Sequence, residues 1–594
     1  MRKVLVAAMA AALVLPVTVA PPAAGAAQED FRVLPYLQSP NASGIRVTWF
    51  TEDGEPGRLT VRGPGLHGPR TYAVDGEPQA ALAYTDAERA QEIPGLDQGS
   101  WLLGDTNHKH TALVEGLRPG RQYSYTVRQG DSTVTGRFRP APTGDDWRHV
   151  RLIAMSDLET EPLGRVQKRE WAPGALAGAA RPTAEPGSAW DRVHGTTTLS
   201  GSRVLRYPLT EDEGLRRNLA VVEQRSPDAV LFTGDLVQGG GYQPGWDEFF
   251  RNTAGVNGDL LSSVPVLPAF GNWESFGAAV NGGYGSPADR TPVVRSRAKF
   301  HAYFDGPGNG TPAHQDNYYR IDYGPLTILT LDSNNGEPDD RAANYAPEEK
   351  LTGREYTGPG TDTQENFTHE EYEEAGGTDL SDYRPGSTQW NWVERQLADA
   401  RADGRFVLVQ FHHVPFSSGE HGLPMNHALT SGQGGTPMRV YHPLFERYGV
   451  AAVISGHSEM FERSVVDENG DGIGVHYYDV GVSGDGLRGV RRESTSLDSA
   501  PLRYNPYSRW TADQSEPEQW QITDGVPRLV AGGKHYGHLE IDVTRVRGDR
   551  ARITLTPVHV FPVLDENLAV SGTERRTYHD KIVIDLDRTG RPTG

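Results

Sequence analysis

The alternation of apolar and polar residues divides the chain into two parts. Between Phe31 and about Pro140, short runs such as Gly44–Phe50 and Gln122–Val127 alternate apolar and polar positions and are separated by glycine and proline. A period of two is typical of half-buried strands, and several short strands between turns predict a β-sandwich. The segment Pro140–Gly144 is predicted to be a linker.

From Val150 onward the pattern changes. Largely apolar strands at Val150–Met155 and Ala229–Thr233 are soon followed by acidic residues, and Thr388–Leu397 has a helical pattern. Alternating strands, loops and helices predict an α/β domain with functional loops at the strand ends. Asp467–Gly472 resembles the start of a calcium-binding loop, but Tyr478 stands at its twelfth position, so we predict a hairpin turn instead.

The first residues predict export. Arg2 and Lys3 precede an apolar run from Val4 to Val19, and Ala24-Gly25-Ala26 has the spacing of a signal-peptidase site. A membrane anchor is the weaker interpretation, because prolines interrupt this short segment. We therefore expect a secreted, extracellular protein with no membrane span.

The predicted organisation has four parts. We expect a signal peptide at 1–26, an N-terminal β-sandwich at 29–141, an α/β domain at 148–490, and C-terminal strands at 491–594 that complete this domain. Two polar stretches rich in glycine and proline, near 160–207 and 334–385, are predicted insertions that cap or line a site.

Composition limits the chemistry that the chain can perform. The 594 residues include no cysteine, which excludes disulfides, thiolate nucleophiles and cysteine-bound zinc, so any metal must bind histidine, carboxylate, amide or hydroxyl ligands. The formal net charge of −20 argues against nucleic-acid binding, because no basic stripe is present to neutralise phosphates.

Five short segments that follow apolar strands carry the candidate chemistry. They are Ser156-Asp157-Leu158-Glu159, Gly234-Asp235-Leu236, Gly271-Asn272-Trp273-Glu274, His412-His413-Val414-Pro415 and Gly456-His457-Ser458-Glu459. Each segment alone is weak, because a Gly-Asp pair is often only a turn and a lone histidine is often structural. Five in this order are hard to explain as packing.

In these segments the chain resembles the calcineurin-like metallophosphoesterases, and among them the purple acid phosphatases. The resemblance implies a four-layer α/β/β/α sandwich preceded by an all-β, fibronectin-III-like sandwich. It also implies a two-metal site that hydrolyses phosphate esters with a metal-activated hydroxide. The ions implied are divalent or trivalent, with Fe, Mn, Zn, Mg and Ca all open.

The resemblance also implies roles for individual residues. Asp157 would bind the first metal, Asp235 would bridge both, and Asn272, His413 and His457 would bind the second. His413 is preferred to His412 because His-x-Pro-Phe matches the family's segment, which leaves His412 as a core or supporting residue. His421 is the candidate for phosphate binding or leaving-group protonation, with an exposed loop histidine as the alternative.

Four departures from the family pattern change the expected chemistry. Gln238 stands where the purple enzymes have tyrosine, and Glu459 replaces the last histidine of Gly-His-x-His. With Glu159 as a further possible oxygen ligand, the first site would favour Mn, Mg, Ca or Fe over Zn. Trp273 replaces a histidine that helps to stabilise the transition state; it would stack on the substrate or pack against the cap.

Two functional hypotheses follow. The first is a secreted phosphomonoesterase or phosphodiesterase, including phospholipase-type activity, that acts on a small phosphate ester. The second is a metal-binding protein that has lost efficient turnover, which Trp273 and Glu459 would explain. Neither the substrate nor the oligomeric state follows from the sequence.

Because Gln238 replaces the tyrosine, we expect no visible charge-transfer band after loading with iron. An absorption spectrum of the iron-loaded protein tests this expectation, and a purple product would contradict it.

Overall fold

The computed structural model describes residues 30–143, 147–172, 180–199, 201–314, 316–334, 346–352, 368–424, 426–431, 434–494, 499–546, 550–587 and 589–593. The predicted signal peptide at 1–26 lies outside these ranges, as do parts of both predicted insertions. No helix within these ranges is long and apolar enough to cross a bilayer.

Two large sheets form the centre of the structure. The larger sheet contains, in spatial order, strands Pro592–Thr593, Ile582–Leu586, Arg550–Leu564, Gly537–Val546, His149–Met155, Ala229–Phe232, Val266–Pro268, Val33–Asn41, Gly44–Thr51, His108–Val114 and Glu77–Pro78, and Val570–Thr577 also pairs with Arg550–Leu564. The second sheet contains, in order, Tyr319–Tyr323, Leu326–Thr330, Phe406–His413, Ala452–Gly456, Val475–Val480, Phe461–Val466 and Ser508–Thr511.

The two sheets pack face to face, with helices on both outer faces. Leu152 and Leu231 of the larger sheet share one buried core with Leu408 and Ile454 of the second sheet. On the outer faces, separate cores join each sheet to its helices. This arrangement is the predicted α/β/β/α sandwich. The α-helices are Asp86–Ala90, Ala189–Val193, Glu211–Arg225, Gln243–Thr253, Thr291–Tyr303, His369–Glu374, Thr388–Ala402 and His442–Tyr448.

Local sequence explains where the main helices begin. Thr210 accepts a hydrogen bond from the backbone N–H of Glu213, whose side chain in turn accepts from the Thr210 N–H, forming a capping box. Ser387 caps the helix Thr388–Ala402 in a similar way by accepting from the Trp390 N–H.

The N-terminal β-structure is continuous with the larger sheet. Strand Val33–Asn41 pairs in parallel with Val266–Pro268 and antiparallel with Gly44–Thr51. A four-stranded sheet packs against this region through a core that includes Trp49 and Tyr125. Its strands are Arg70–Val74, Gly57–Arg62, Tyr123–Gln129 and Ser132–Phe138.

The C-terminal strands and the described parts of the first insertion complete the structure. Gly537–Val546 pairs with His149–Met155 and so places C-terminal residues at the centre of the larger sheet. The predicted hairpin is confirmed, because Phe461–Val466 pairs antiparallel with Val475–Val480. Smaller sheets are formed by Glu170–Trp171, Ser202–Arg206 and Thr196–Leu199, and by Gln519–Thr523 and Val526–Ala531.

A buried arginine joins one helix to the second sheet. Arg297, in helix Thr291–Tyr303, donates to Asp332 at 3.0 Å and to Asp379 at 2.8 Å, and the arginine and Asp332 side chains are almost fully buried. We expect Arg297→Met to lower the free energy of unfolding by about 3–5 kcal/mol, because it leaves buried carboxylates without a counter-charge. Denaturant unfolding measures this change.

Arg552→Met is the matched control, since it removes an ion pair with Asp585 in which both side chains are about half exposed. Its cost should be much smaller than that of Arg297→Met, because ion pairs exposed to solvent contribute little to stability. Equal costs for the two variants would contradict the structural role of Arg297.

Candidate functional site

The candidate residues lie at the carboxyl ends of parallel strands in both large sheets. In parallel sheets these ends meet at one edge, which is where α/β proteins place their ligands. The strands are His149–Met155, Ala229–Phe232 and Val266–Pro268 in the larger sheet, and Phe406–His413 and Ala452–Gly456 in the second.

The backbone of these loops is strained and closely packed. Asp157, Asp235, His457 and Glu459 have φ values of 54°, 50°, 77° and 48°, which non-glycine residues adopt infrequently and which concentrate at functional sites. A Cβ atom on Gly456 would lie 2.1 Å from Asp157 Oδ2, so only glycine fits there.

Glu274 connects the loop that carries Asp235 to the loop that carries Asn272. Its buried carboxylate accepts hydrogen bonds from the backbone N–H groups of Asp235 at 3.0 Å, Leu236 at 2.9 Å and Gly271 at 2.7 Å. The role of this last residue of the Gly-Asn-Trp-Glu segment was not foreseen from the sequence. The carboxylate fixes the loop that carries Asp235 relative to the loop that carries Asn272.

One group of potential metal ligands contains histidine. Ligand atoms of Asp235, His412 and His457 all lie within 4.8 Å of one another. His412 Nε2 is 2.9 Å from Asp235 Oδ2 and 2.9 Å from Asn272 Oδ1, while its Nδ1 is 3.1 Å from the Thr233 carbonyl oxygen. Burial, followed by the nearby His457, lowers the pKa of His412 well below its usual value, so the ring is neutral. A neutral ring whose Nδ1 donates to the Thr233 carbonyl oxygen would direct its Nε2 lone pair at two oxygen atoms, an arrangement that a bound cation would stabilise.

The preference for His413 over His412 is not supported by this geometry. His412, which was predicted to be a supporting residue, is the histidine beside Asp235 and Asn272. The reason is a one-residue shift in strand pairing between Gln410 and His413, which changes the directions of side chains at the strand end. His413 Nδ1 forms a hydrogen bond with Ser333 Oγ at 2.9 Å. The buried Nε2 of His413 has no hydrogen-bond partner among the described residues. The ring centroid of His413 is 4.4 Å from that of His457.

A second group consists only of carboxylates. Ligand atoms of Glu159, Glu459 and Asp485 lie within 4.8 Å of one another, and all three residues are buried. Asp157 lies in the same loop as Glu159. The carboxylate of Asp157 accepts a hydrogen bond from the His457 backbone N–H at 3.1 Å. The sequence interpretation missed Asp485, although its Gly-Asp-Gly context after strand Val475–Val480 resembles the Gly-Asp pair at Asp235.

The charge of these carboxylates is only partly compensated. Arg169 pairs with Asp485, and Arg488 Nε lies 2.7 Å from Glu459 Oε2. Neither oxygen of Glu159 accepts a hydrogen bond in the described part of the chain. Burial, and then the charge of Asp485, raises the pKa of Glu159 well above its usual value.

Other members of this region are also shifted. Burial raises the pKa of Asp157 to about 7, and burial together with the negative charge of Asp485 raises that of Glu459 to about 8, although Arg488 opposes this shift. The oxygen-rich group therefore fits a hard cation such as Mn, Mg, Ca or Fe, and the group around His412 fits an ion that also accepts imidazole.

The structure also locates the remaining predicted residues. His421 is buried beside His457, with ring centroids 4.3 Å apart, so it is not an exposed loop histidine. Trp273 donates its backbone N–H to Asp235 Oδ1 at 2.9 Å, and its half-buried ring packs edge-on against Phe276. Gln238 is half-buried, three residues beyond Asp235.

Three other histidines do not take the place of the missing family histidine. His194 Nε2 is 2.7 Å from the Leu568 carbonyl oxygen, and His301 pairs with Asp379. His476 lies within strand Val475–Val480. His421, by contrast, packs against the candidate metal ligand His457.

Comparison with known proteins agrees with this geometry. Residues 211–459 match the family model described as calcineurin-like phosphoesterase. Residues 211–459 thus form a domain that is similar to the calcineurin-like phosphoesterases. The matched range includes the loops that carry Asp235, Asn272, His412 and His457, whereas Asp157 precedes it and Asp485 follows it.

The domain is similar in sequence to two curated relatives. Human tartrate-resistant acid phosphatase type 5 is 31% identical over 124 residues, which cover 21% of this chain and 33% of the human protein. An uncharacterised protein of Mycobacterium tuberculosis is 21% identical over 425 residues, which cover 70% of this chain and 59% of that protein. The matches thus span from a third to little more than half of these relatives.

Two solved structures share the fold over almost the whole chain. Purple acid phosphatase PPD1 from yellow lupin seeds has a TM-score of 0.51 at 16% identity, covering 93% of this chain and 74% of the lupin chain. PhoD has a TM-score of 0.54 at 11% identity, covering 95% of this chain and 92% of the PhoD chain.

The burial of Glu159 beside Asp485 predicts a pH-dependent change in stability. Because the folded state raises its pKa, ionisation of Glu159 costs stability as pH rises above its ordinary value of about 4.3. Metal-free Glu159→Gln should therefore become more stable than wild type as pH rises, by at most about 1.4 kcal/mol per pH unit. Denaturant unfolding in chelator from pH 5 to 8 measures this difference.

Added Mn²⁺ should reverse the order, because the carboxylate that destabilises the metal-free protein would then face a cation. Glu566→Gln, on an exposed residue, serves as the control and should follow wild type at every pH. A constant difference between Glu159→Gln and wild type across this range would contradict the prediction.

Proposed function

We propose that the chain is a metal-dependent hydrolase of phosphate monoesters or diesters with a dinuclear site. The observation that carries the proposal is the position of His412 Nε2, 2.9 Å from Asp235 Oδ2 and 2.9 Å from Asn272 Oδ1, next to a separate buried carboxylate group. Both groups lie at the strand ends of the domain that is similar to the calcineurin-like phosphoesterases. A protein that used these residues only for folding would have no need to bury so many uncompensated acceptors.

The chain's own residues divide into two ligand sets. We assign Asp235, Asn272, His412 and His457 to one ion, with the unpartnered Nε2 of His413 as a further donor. We assign Asp157, Glu159, Glu459 and Asp485 to the other, and we propose that Asp235 would contribute to both. When bound, two such ions would activate a water molecule and neutralise the phosphoryl oxygens.

We assign His421 to substrate binding. Its ring is buried beside His457, with Nδ1 2.9 Å from Ser431 Oγ. Burial, followed by the neighbouring His457 and then the positive charge of Arg488, lowers the pKa of His421 well below its usual value. A neutral ring suits hydrogen bonding to a phosphate ester better than donating a proton to the leaving group at neutral pH.

The second candidate function is metal binding without efficient turnover. Trp273 favours it, because the indole carries no charge where the family has an imidazole. Secretion also remains a proposal, which the apolar N-terminal segment supports.

Asp235→Asn provides the sharpest test, because it keeps the shape of the side chain and removes its charge. We expect metal-dependent hydrolysis of p-nitrophenyl phosphate or bis-p-nitrophenyl phosphate to fall at least about 100-fold in this variant. Each metal is added singly across pH, and the preferred ester separates a monoesterase from a diesterase.

Asp585→Asn, in an exposed ion pair, should keep wild-type activity. His412→Ala and His413→Ala then compare the two neighbouring histidines, and we expect the greater loss of bound metal for His412. Folded, metal-loaded wild-type protein that hydrolyses neither ester would favour the binding protein over the hydrolase.

A further inference from the structure

Arg488 lies between the carboxylate group and His421. Its Nε is 2.7 Å from Glu459 Oε2, and its Nη1 is 3.4 Å from both His421 Nε2 and Glu420 Oε2. The Arg488 side chain is 44% exposed, whereas Glu459 and His421 are buried. The guanidinium group therefore extends from the buried site toward solvent, the side from which a substrate must arrive.

The backbone holds Arg488 firmly in this position. The Arg488 N–H donates to the Glu459 carbonyl oxygen at 2.9 Å. Earlier in the same loop, the N–H groups of Gly484 and Asp485 donate to the Asp157 carbonyl oxygen at 3.0 and 2.8 Å. The loop that carries Arg488 is thus fastened to the two loops that carry Asp157 and Glu459.

The contacts of the guanidinium leave donors available. Only the Nε contact with Glu459 is short, the Nη1 contacts are long, and Nη2 donates to no group among the described residues. Arginine presents its N–H donors in a planar fork that matches two oxygens of a phosphate, and it stays charged at all working pH values. A phosphate bound near His421 could accept hydrogen bonds from the Nη groups of Arg488.

We propose that Arg488 binds the phosphoryl group of the substrate and supplies the positive charge that Trp273 cannot. The inference rests on the proposed function, but it concerns a residue outside the metal ligands. Trp273 packs against Phe276 and has no charge to offer, while His194 and His301 contact other groups. Among the described residues, Arg488 is a cation that contacts both Glu459, a carboxylate of the site, and His421.

Phosphate binding tests the proposal directly. Inorganic phosphate is titrated into metal-loaded wild type, Arg488→Gln and Arg488→Lys by calorimetry, with bound metal measured in each protein. We expect Arg488→Gln to weaken phosphate binding about 10- to 100-fold at unchanged metal content, and Arg488→Lys to recover part of the loss.

Arg491→Gln is the matched control, since Arg491 lies in the same loop and pairs with Glu420 at 3.5 Å. A smaller loss in this variant supports a specific contact by Arg488. Equal losses in both variants, an unchanged affinity in Arg488→Gln, or no phosphate binding by wild type would overturn the proposal.

Ester hydrolysis gives an independent readout. Arg488→Gln should lower kcat/KM, and Arg488→Lys should recover part of the loss, because lysine restores a positive charge at this position. An unchanged kcat/KM in Arg488→Gln would contradict the proposal. If wild type binds phosphate but cleaves no ester, the proposed function fails while the Arg488 contact is still decided by the titrations.

Discussion

The confinement of many acceptor groups at one edge of the two sheets is the constraint on which the rest of the structure depends. Asp157, Asp235, Glu159, Glu459 and Asp485 are buried there, and two of the compensating charges are Arg169 and Arg488. Burying carboxylates without full compensation costs stability, so bound cations would stabilise an arrangement of this kind. In the absence of metal, burial raises the pKa values of Asp157, Glu159 and Glu459, because the ionised carboxylates are poorly solvated.

The scaffold meets this constraint with rigid backbone. The packed core between the sheets fixes the strand ends, and Glu274 holds the loops of Asp235 and Asn272 together through backbone N–H groups. Positive φ angles and the close approach at Gly456 bring the carboxylates nearer than relaxed loops would allow. The strain is local, and the extensive burial around it supplies the compensating stability.

Two departures from the family pattern, Glu459 and Trp273, change the distribution of charge in the site. Replacing imidazole by Glu459 adds a negative group, and Trp273 removes a potential positive one. Arg169 and Arg488 are ion-paired with carboxylates of this group. A site with more carboxylates and permanent guanidinium charges depends less on histidine titration, because neither arginine changes its charge over the working pH range.

The sequence by itself determined an α/β domain and the order of the strand-end segments, because short motifs after apolar runs are local signals. The family resemblance carried by these segments implied the α/β/β/α fold and the candidacy of Asp157, Asp235, Asn272, His457 and Glu459. Only the tertiary structure favoured His412 over its neighbour, since a pairing shift at the strand end sets side-chain direction. It also brought Asp485 and Arg488 to the site from a loop distant in sequence, and joined the N-terminal strands to the larger sheet. Such contacts depend on how the sheets pack, which local patterns do not encode.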